Sequence, residues 1–174
     1  YTYRPGYEHL IQALASHPRV CLAFYSSIMV KNITPVFLNM LQGNEFRALR
    51  EKIGVYDRES CTEMIDSDYY KDLAVQEWDT YRDLQKIFNN PATKSKGNFD
   101  ESNTLLIDSE SEKVQLWLNN SIIVDPYTSE DVALIKNSKS GEVRTEKWQK
   151  NYMTELSDYV VSLLDNADTV PSYL

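Results

Sequence analysis

The scarce residues set the first limits on this chain. Histidine occurs only at His9 and His17, and cysteine only at Cys21 and Cys61. Neither pair has metal-ligand spacing, so a His-rich zinc site and a disulfide framework are both excluded. No apolar run approaches the roughly 20 residues that a membrane span needs. Basic residues number 18 against 26 acidic ones, for a net charge of −8. That balance argues against direct, non-specific nucleic-acid binding, which requires a basic face. Internal repeats and low-complexity segments are absent. The sequons Asn32-Ile33-Thr34 and Asn119-Asn120-Ser121 are of a kind that arises by chance and carry no argument for secretion.

The remaining composition, 42% hydrophobic and 25% charged, is that of a globular chain. Its length suits a single domain spanning 1–174. The chain begins at Tyr1 rather than Met, which reads as a processed or partial form.

Periodicity supplies the element order. Helical spacing runs over 7–16, with Leu10, Ile11 and Leu14 on one face, and Pro18 ends it. Residues 20–25 (Val-Cys-Leu-Ala-Phe-Tyr) form a short apolar run of the kind expected for a buried parallel strand. A helix is expected over 28–41, kinked at Pro35 or starting later. Residues 43–68 are irregular and mixed in charge, and read as an inserted cap with short strands near Val55-Tyr56. An amphipathic helix is expected over 72–88 through Leu73, Trp78, Tyr81, Leu84 and Phe88. Residues 89–100 read as a loop. A strand over 104–107, a helix over 111–118 and a strand over 121–124 follow. A polar connection then leads to a closing helix over 148–164 and an acidic tail. Strand–helix alternation of this kind predicts an α/β fold with a parallel sheet and right-handed crossovers.

Ligands of open α/β sheets bind beyond the carboxyl ends of the strands. Ser26 and Ser27 follow the strand over 20–25, and Asp108 ends the one over 104–107. Lys71 precedes the helix expected over 72–88. Each has a plain structural alternative. Asp108 can start a turn or cap the next helix, Ser26 can do the same, and Lys71 can be a solvated surface charge. Arg58 can pair with Glu59 or Asp57.

A hydroxyl, a lysine and an aspartate in that order resemble haloacid-dehalogenase (HAD) phosphotransferases. A finer series points to one branch: Arg4-Pro5-Gly6, Phe24-Tyr25-Ser26-Ser27, Arg58-Glu59-Ser60-Cys61, Tyr70-Lys71-Asp72-Leu73, Leu106-Ile107-Asp108 and the ending Val170-Pro171-Ser172-Tyr173-Leu174. In this the chain resembles the phosphatases of the RNA polymerase II C-terminal domain, the NIF or small CTD phosphatase family. The resemblance implies a HAD-like, Rossmannoid three-layer parallel sheet with a small inserted cap at 43–68. It also implies Mg²⁺-dependent phosphoserine/threonine protein phosphatase chemistry through an aspartyl-phosphate.

In that family an Asp-x-Asp-x-Thr strand comes first and carries the nucleophile and the general acid. No such motif occurs in these 174 residues. The nucleophile strand is central in the related sheet, between the strand ending at Ser26 and the strand ending at Asp108. Its loss would leave two rows of unpaired backbone groups, each costing on the order of 1–3 kcal/mol. The expectation is therefore that residues upstream of Tyr1, or another polypeptide, supply it.

By resemblance, Ser26 hydrogen-bonds the transferring phosphoryl group, with Ser27 as the neighbouring alternative. Lys71 neutralises the phosphate, and Asp108 stands at the Mg²⁺ end of the site. Arg58 contacts a phosphopeptide. Ser109 departs from the family, which commonly has Asp or Asn there, and a neutral hydroxyl is a weak Mg²⁺ ligand. The implied partner is a phosphoprotein or peptide segment, in the nucleus or the mitochondrion. The alternative is a catalytically degenerate binding or assembly subunit within a larger protein assembly, as in the mitochondrial presequence-translocase receptor of the same family.

Overall fold

Two parallel strand pairs carry the fold of the computed structural model, which describes residues 3–71, 73–137, 152–166 and 170. In the first, β1 (Ala23–Tyr25) pairs with β2 (Gly54–Tyr56), with Ala23 opposite Gly54 and Tyr25 opposite Tyr56. A Cβ on Gly54 would lie only 3.2 Å from the Ala23 Cβ, so the pair closes most easily on glycine. β3 (Thr62–Glu63) and β4 (Thr80–Tyr81) form a small antiparallel pair. In the second parallel pair, β5 (Leu106–Asp108) runs beside β6 (Ser121–Ile123), with Asp108 opposite Ile123.

Helices cover opposite faces of these pairs, because alternate strand residues point to opposite sides. On one side α1 (Tyr7–Ser16) packs against α7 (Tyr152–Asn166). Leu14, Met153, Leu156 and Val160 there meet Leu105, Ile107 and Ile122. On the other side α4 (Leu84–Asn89) buries Leu84, Ile87 and Phe88 against Leu106 and Val114. Ile11 of α1 and Phe37 of α2 (Val30–Met40) join Leu41, Phe46 and Ile53 in a third cluster. Short helices α3 (Arg47–Arg50), α5 (Pro91–Lys94) and α6 (Ser129–Asn137) add to these, with 3-10 turns at Asn44–Phe46, Arg58–Ser60 and Met64–Asp66 and a longer 3-10 stretch over Ser111–Asn120 that is broken at Trp117.

The architecture is the expected mixed α/β one with parallel pairing. Among the described residues no strand joins β1 to β5, so the two pairs stand as separate sheets. Three expectations are corrected. First, no single helix spans 72–88. Leu73 and Trp78 are 55% and 66% exposed, and Asp79 accepts the Gln76 N–H at 2.9 Å in a turn. The chain enters α4 only where the Asp83 carboxylate caps it by accepting the Gln85 N–H at 3.0 Å. Second, 43–68 is not wholly an insertion, since Phe46 and Ile53 are core residues and β2 pairs with β1. Third, of the two alternatives at Pro35 the later start is not taken, since α2 runs over Val30–Met40 with Pro35 in its interior. Smaller differences are local. Asn90 caps α5 inside the expected loop, α6 interrupts the polar connection, and α7 runs to Asn166. Residues 148–151 and the ending after Val170 lie outside the described residues; Val170 itself is buried, its N–H on the Ser102 carbonyl at 2.9 Å.

Candidate functional site

The carboxyl ends of β1 and β5 meet one cluster of charge. β1 runs on into Ser26, whose N–H still donates to the Tyr56 carbonyl at 2.9 Å. The Ser26 Oγ then accepts the Ile28 N–H at 3.1 Å, a local turn bond that fixes the chain's exit. Across the gap the Asp108 carbonyl accepts the Val124 N–H at 2.9 Å, and its carboxylate stands free of the ladder.

That carboxylate is held from two sides. Asp108 Oδ1 accepts the Glu110 N–H at 3.0 Å, and Oδ2 accepts Nε of Arg82 at 2.8 Å. The pair is well buried, with side chains 6% (Arg82) and 13% (Asp108) exposed. Arg82 directly follows β4, and its own N–H donates to the Lys113 carbonyl at 2.7 Å. Its guanidinium lies over the Tyr25 ring, 5.4 Å from the centroid, and reaches Sγ of Cys61 at 3.8 Å. Burial alone would lower its pKa, but Asp108 and then Cys61 beside it more than offset that, so the charge is held more firmly than usual.

Two more charges extend the cluster. Glu110 lies 3.8 Å from Arg82 and 2.7 Å from Nζ of Lys113. Lys113 in turn donates to Oγ of Ser27 at 3.4 Å, bridging the 3-10 stretch to the end of β1. Tyr25 ties the floor together. Its hydroxyl donates to the Ser60 carbonyl and accepts the Asp83 N–H at 3.0 Å. Burial pushes its phenol pKa far up, reinforced by Cys61.

The residues expected at the site divide accordingly. Asp108 stands at a strand end inside the cluster, and Ser27 faces Lys113, whereas the Ser26 hydroxyl is engaged in its own turn. Ser109 is half-buried at the end of β5. Lys71 is not brought to this cluster. Its side chain is 60% exposed and pairs with Asp68 at 3.3 Å. Arg58 pairs with Glu63 at 3.7 Å and donates to the Trp78 carbonyl at 3.0 Å, rather than pairing with Glu59 or Asp57. Arg82, Glu110 and Lys113 were not foreseen. One signal for Arg82 was present: Tyr81-Arg82-Asp83-Leu84 repeats the Tyr–basic–Asp–Leu pattern of Tyr70-Lys71-Asp72-Leu73. Burial separates the copies, since Leu84 is in the core and Leu73 is exposed.

Arg82, Lys113 and the Ser27 hydroxyl converge there on the carboxylates of Asp108 and Glu110, so the cluster is neutral as it stands. Mg²⁺ fits poorly. Its carboxylate donors would be Asp108 and Glu110, each already in an ion pair, with Ser109 offering only a hydroxyl. Among the described residues no group of three or more His, Cys, Asp or Glu is placed to hold a metal.

The sequence profile of the NLI interacting factor-like phosphatases matches residues 1–142, which takes in β1 to β6 and every member of the cluster. The chain belongs to this family. No curated protein matches it significantly. Phosphatases of HAD type are thereby the chemical context of Arg82, Asp108, Glu110 and Lys113. In this NLI interacting factor-like phosphatase domain, no described helix is long and apolar enough to cross a membrane.

Proposed function

We propose that this chain builds the phosphate-holding face of a phosphoserine/threonine protein phosphatase that works through an aspartyl-phosphate. The observation that carries the reading is the convergence of Lys113, Ser27, Arg82 and Asp108 at the carboxyl ends of two parallel strands. Phosphoryl transfer depends chiefly on positioning and on charge aimed at the equatorial oxygens. Lys113 Nζ and Ser27 Oγ supply donors for those oxygens, and Arg82 orients Asp108 and sets the local charge. That chemistry requires a nucleophilic aspartate in addition to these four residues. Its carboxylate attacks phosphorus, the bond to the serine or threonine oxygen breaks, and that oxygen takes a proton from a general acid. Water then hydrolyses the acyl phosphate. Mg²⁺, which HAD-type phosphatases generally use, screens charge in such sites; no step here is assigned to it, because the donor set at Asp108 does not fit it. The partner is a phosphorylated protein segment.

A second reading has its own support. Both Asp108 oxygens are engaged and Ser109 is neutral, which suits a module that binds a phosphorylated segment within an assembly without turnover. The test is phosphate release from a phosphoserine peptide by the full-length protein, run alongside a binding measurement. Release that falls with Lys113→Ala supports the phosphatase. Binding without release supports the module, and absence of both overturns the proposal.

A further inference from the structure

Of the four charged side chains in the cluster, Glu110 is the one whose presence the proposed chemistry does not explain. Arg82 and Lys113 balance Asp108 and Glu110, so the cluster is neutral as it stands. Without Glu110 it would carry one net positive charge, as a phosphate site should. Glu110 also differs in burial. Its side chain is 45% exposed, against 19% for Lys113, 6% for Arg82 and 13% for Asp108. Its backbone, by contrast, is pinned, because its N–H donates to Asp108 at 3.0 Å. The carboxylate therefore sits on a fixed pivot at the edge of the site, with solvent on one side and its two cations on the other.

We propose that Glu110 is an internal anion that holds the phosphate subsite closed and swings into solvent when a phosphate monoester enters. The inference rests on the reading above and names how that site admits its ligand. The carboxylate spans Lys113 at 2.7 Å and Arg82 at 3.8 Å, where a phosphate would bridge the same two cations. A phosphate monoester brings a charge of about −1.5 to −2 and three acceptor oxygens. It therefore outcompetes a single half-exposed carboxylate for both cations. An unphosphorylated hydroxyl brings no charge and leaves the Glu110 pairs intact, so the device also discriminates against unmodified segments.

The test measures dissociation constants of the full-length protein for inorganic phosphate and for a phosphoserine peptide. Glu110→Gln keeps the shape and removes the charge, and is expected to bind both ligands roughly five- to tenfold more tightly than the natural protein. The unphosphorylated peptide should gain nothing. Lys113→Gln in the same background should cancel the gain. Unchanged or weaker binding by Glu110→Gln, while the natural protein still binds phosphate, overturns this inference and leaves the proposed function standing. Absence of binding by both proteins overturns the two together. If Glu110→Gln does not fold, as judged by circular dichroism, Glu110→Asp serves instead. Its shorter side chain withdraws from Lys113, and the same tightening or its absence decides the question.

Discussion

Nε of Arg82 donates to Oδ2 of Asp108 at 2.8 Å, with both side chains nearly shut off from solvent. This one pair joins the end of β4 to the end of β5, elements far apart in the chain. Breaking one side of a buried pair leaves the other charge stranded, at a cost of about 3–5 kcal/mol. Arg82→Met should therefore lower the unfolding free energy by that order in a urea titration. Arg82→Met combined with Asp108→Leu should recover most of the loss, because no charge then remains uncompensated. A single variant with near-wild-type stability would show that solvent reaches the pair.

Lys71 and Lys113 separate the sequence reading from the tertiary one. An exposed ion pair such as Lys71–Asp68 contributes about 0–1 kcal/mol. Lys71→Ala should leave both stability and phosphate affinity within error. Lys113→Ala should weaken phosphate binding by about tenfold, the worth of one charge-assisted hydrogen bond. Calorimetric titration with inorganic phosphate checks both, and a reversed order would return Lys71 to the site.

Tyr25 connects β1 to the turn before α4, and so sets where Arg82 sits. In Tyr25→Phe the Asp83 N–H loses its acceptor and the Ser60 carbonyl its donor. The expected loss is about 1–3 kcal/mol, the cost of a buried polar group left unpaired. Hydrogen exchange should locate the added opening at the start of α4. A loss spread evenly over the chain would assign Tyr25 a packing role only.

Alkaline pH should act through Tyr70 as well as through Tyr25, whose phenol is also held neutral by burial. The Tyr70 hydroxyl donates to the Glu112 carbonyl at 2.7 Å, and burial, with Tyr69 and Tyr81 nearby, raises its pKa from 10.0 to about 12. The folded state thus favours the neutral phenol. That contribution is complete below pH 10.0 and is lost as the pH climbs toward 12. Tyrosinate absorbance should show Tyr70 ionising late. The stability of Tyr70→Phe should fall less across this window than that of the natural protein. Parallel falls would assign the alkaline loss to other groups.

Much of this was legible in the chain alone. The spacing of Ile11 and Leu14 marks α1, the run before Ser26 marks β1, and Leu106-Ile107-Asp108 marks a strand with an acid at its tip. These signals are local: a buried strand or an amphipathic helix writes its environment into a few consecutive side chains. The helix expected over 72–88 failed for a related reason. Trp78, Tyr81, Leu84 and Phe88 fall at helical spacing, but among the described residues nothing covers Leu73 or Trp78, and the cap that starts α4 belongs to Asp83.

By itself, then, the sequence determined the α/β class, the family and the place of Asp108. It also left two equivalent copies of the Tyr–basic–Asp–Leu pattern, at 70–73 and 81–84. Only the tertiary structure decided between them. The β3–β4 pairing carries Arg82 under Tyr25 and onto Asp108, while Lys71 remains on the surface beside Asp68. The reason is physical. A buried charge is tolerable only beside its counter-charge, and that partner stands 26 residues further along the chain, beyond the reach of any local pattern.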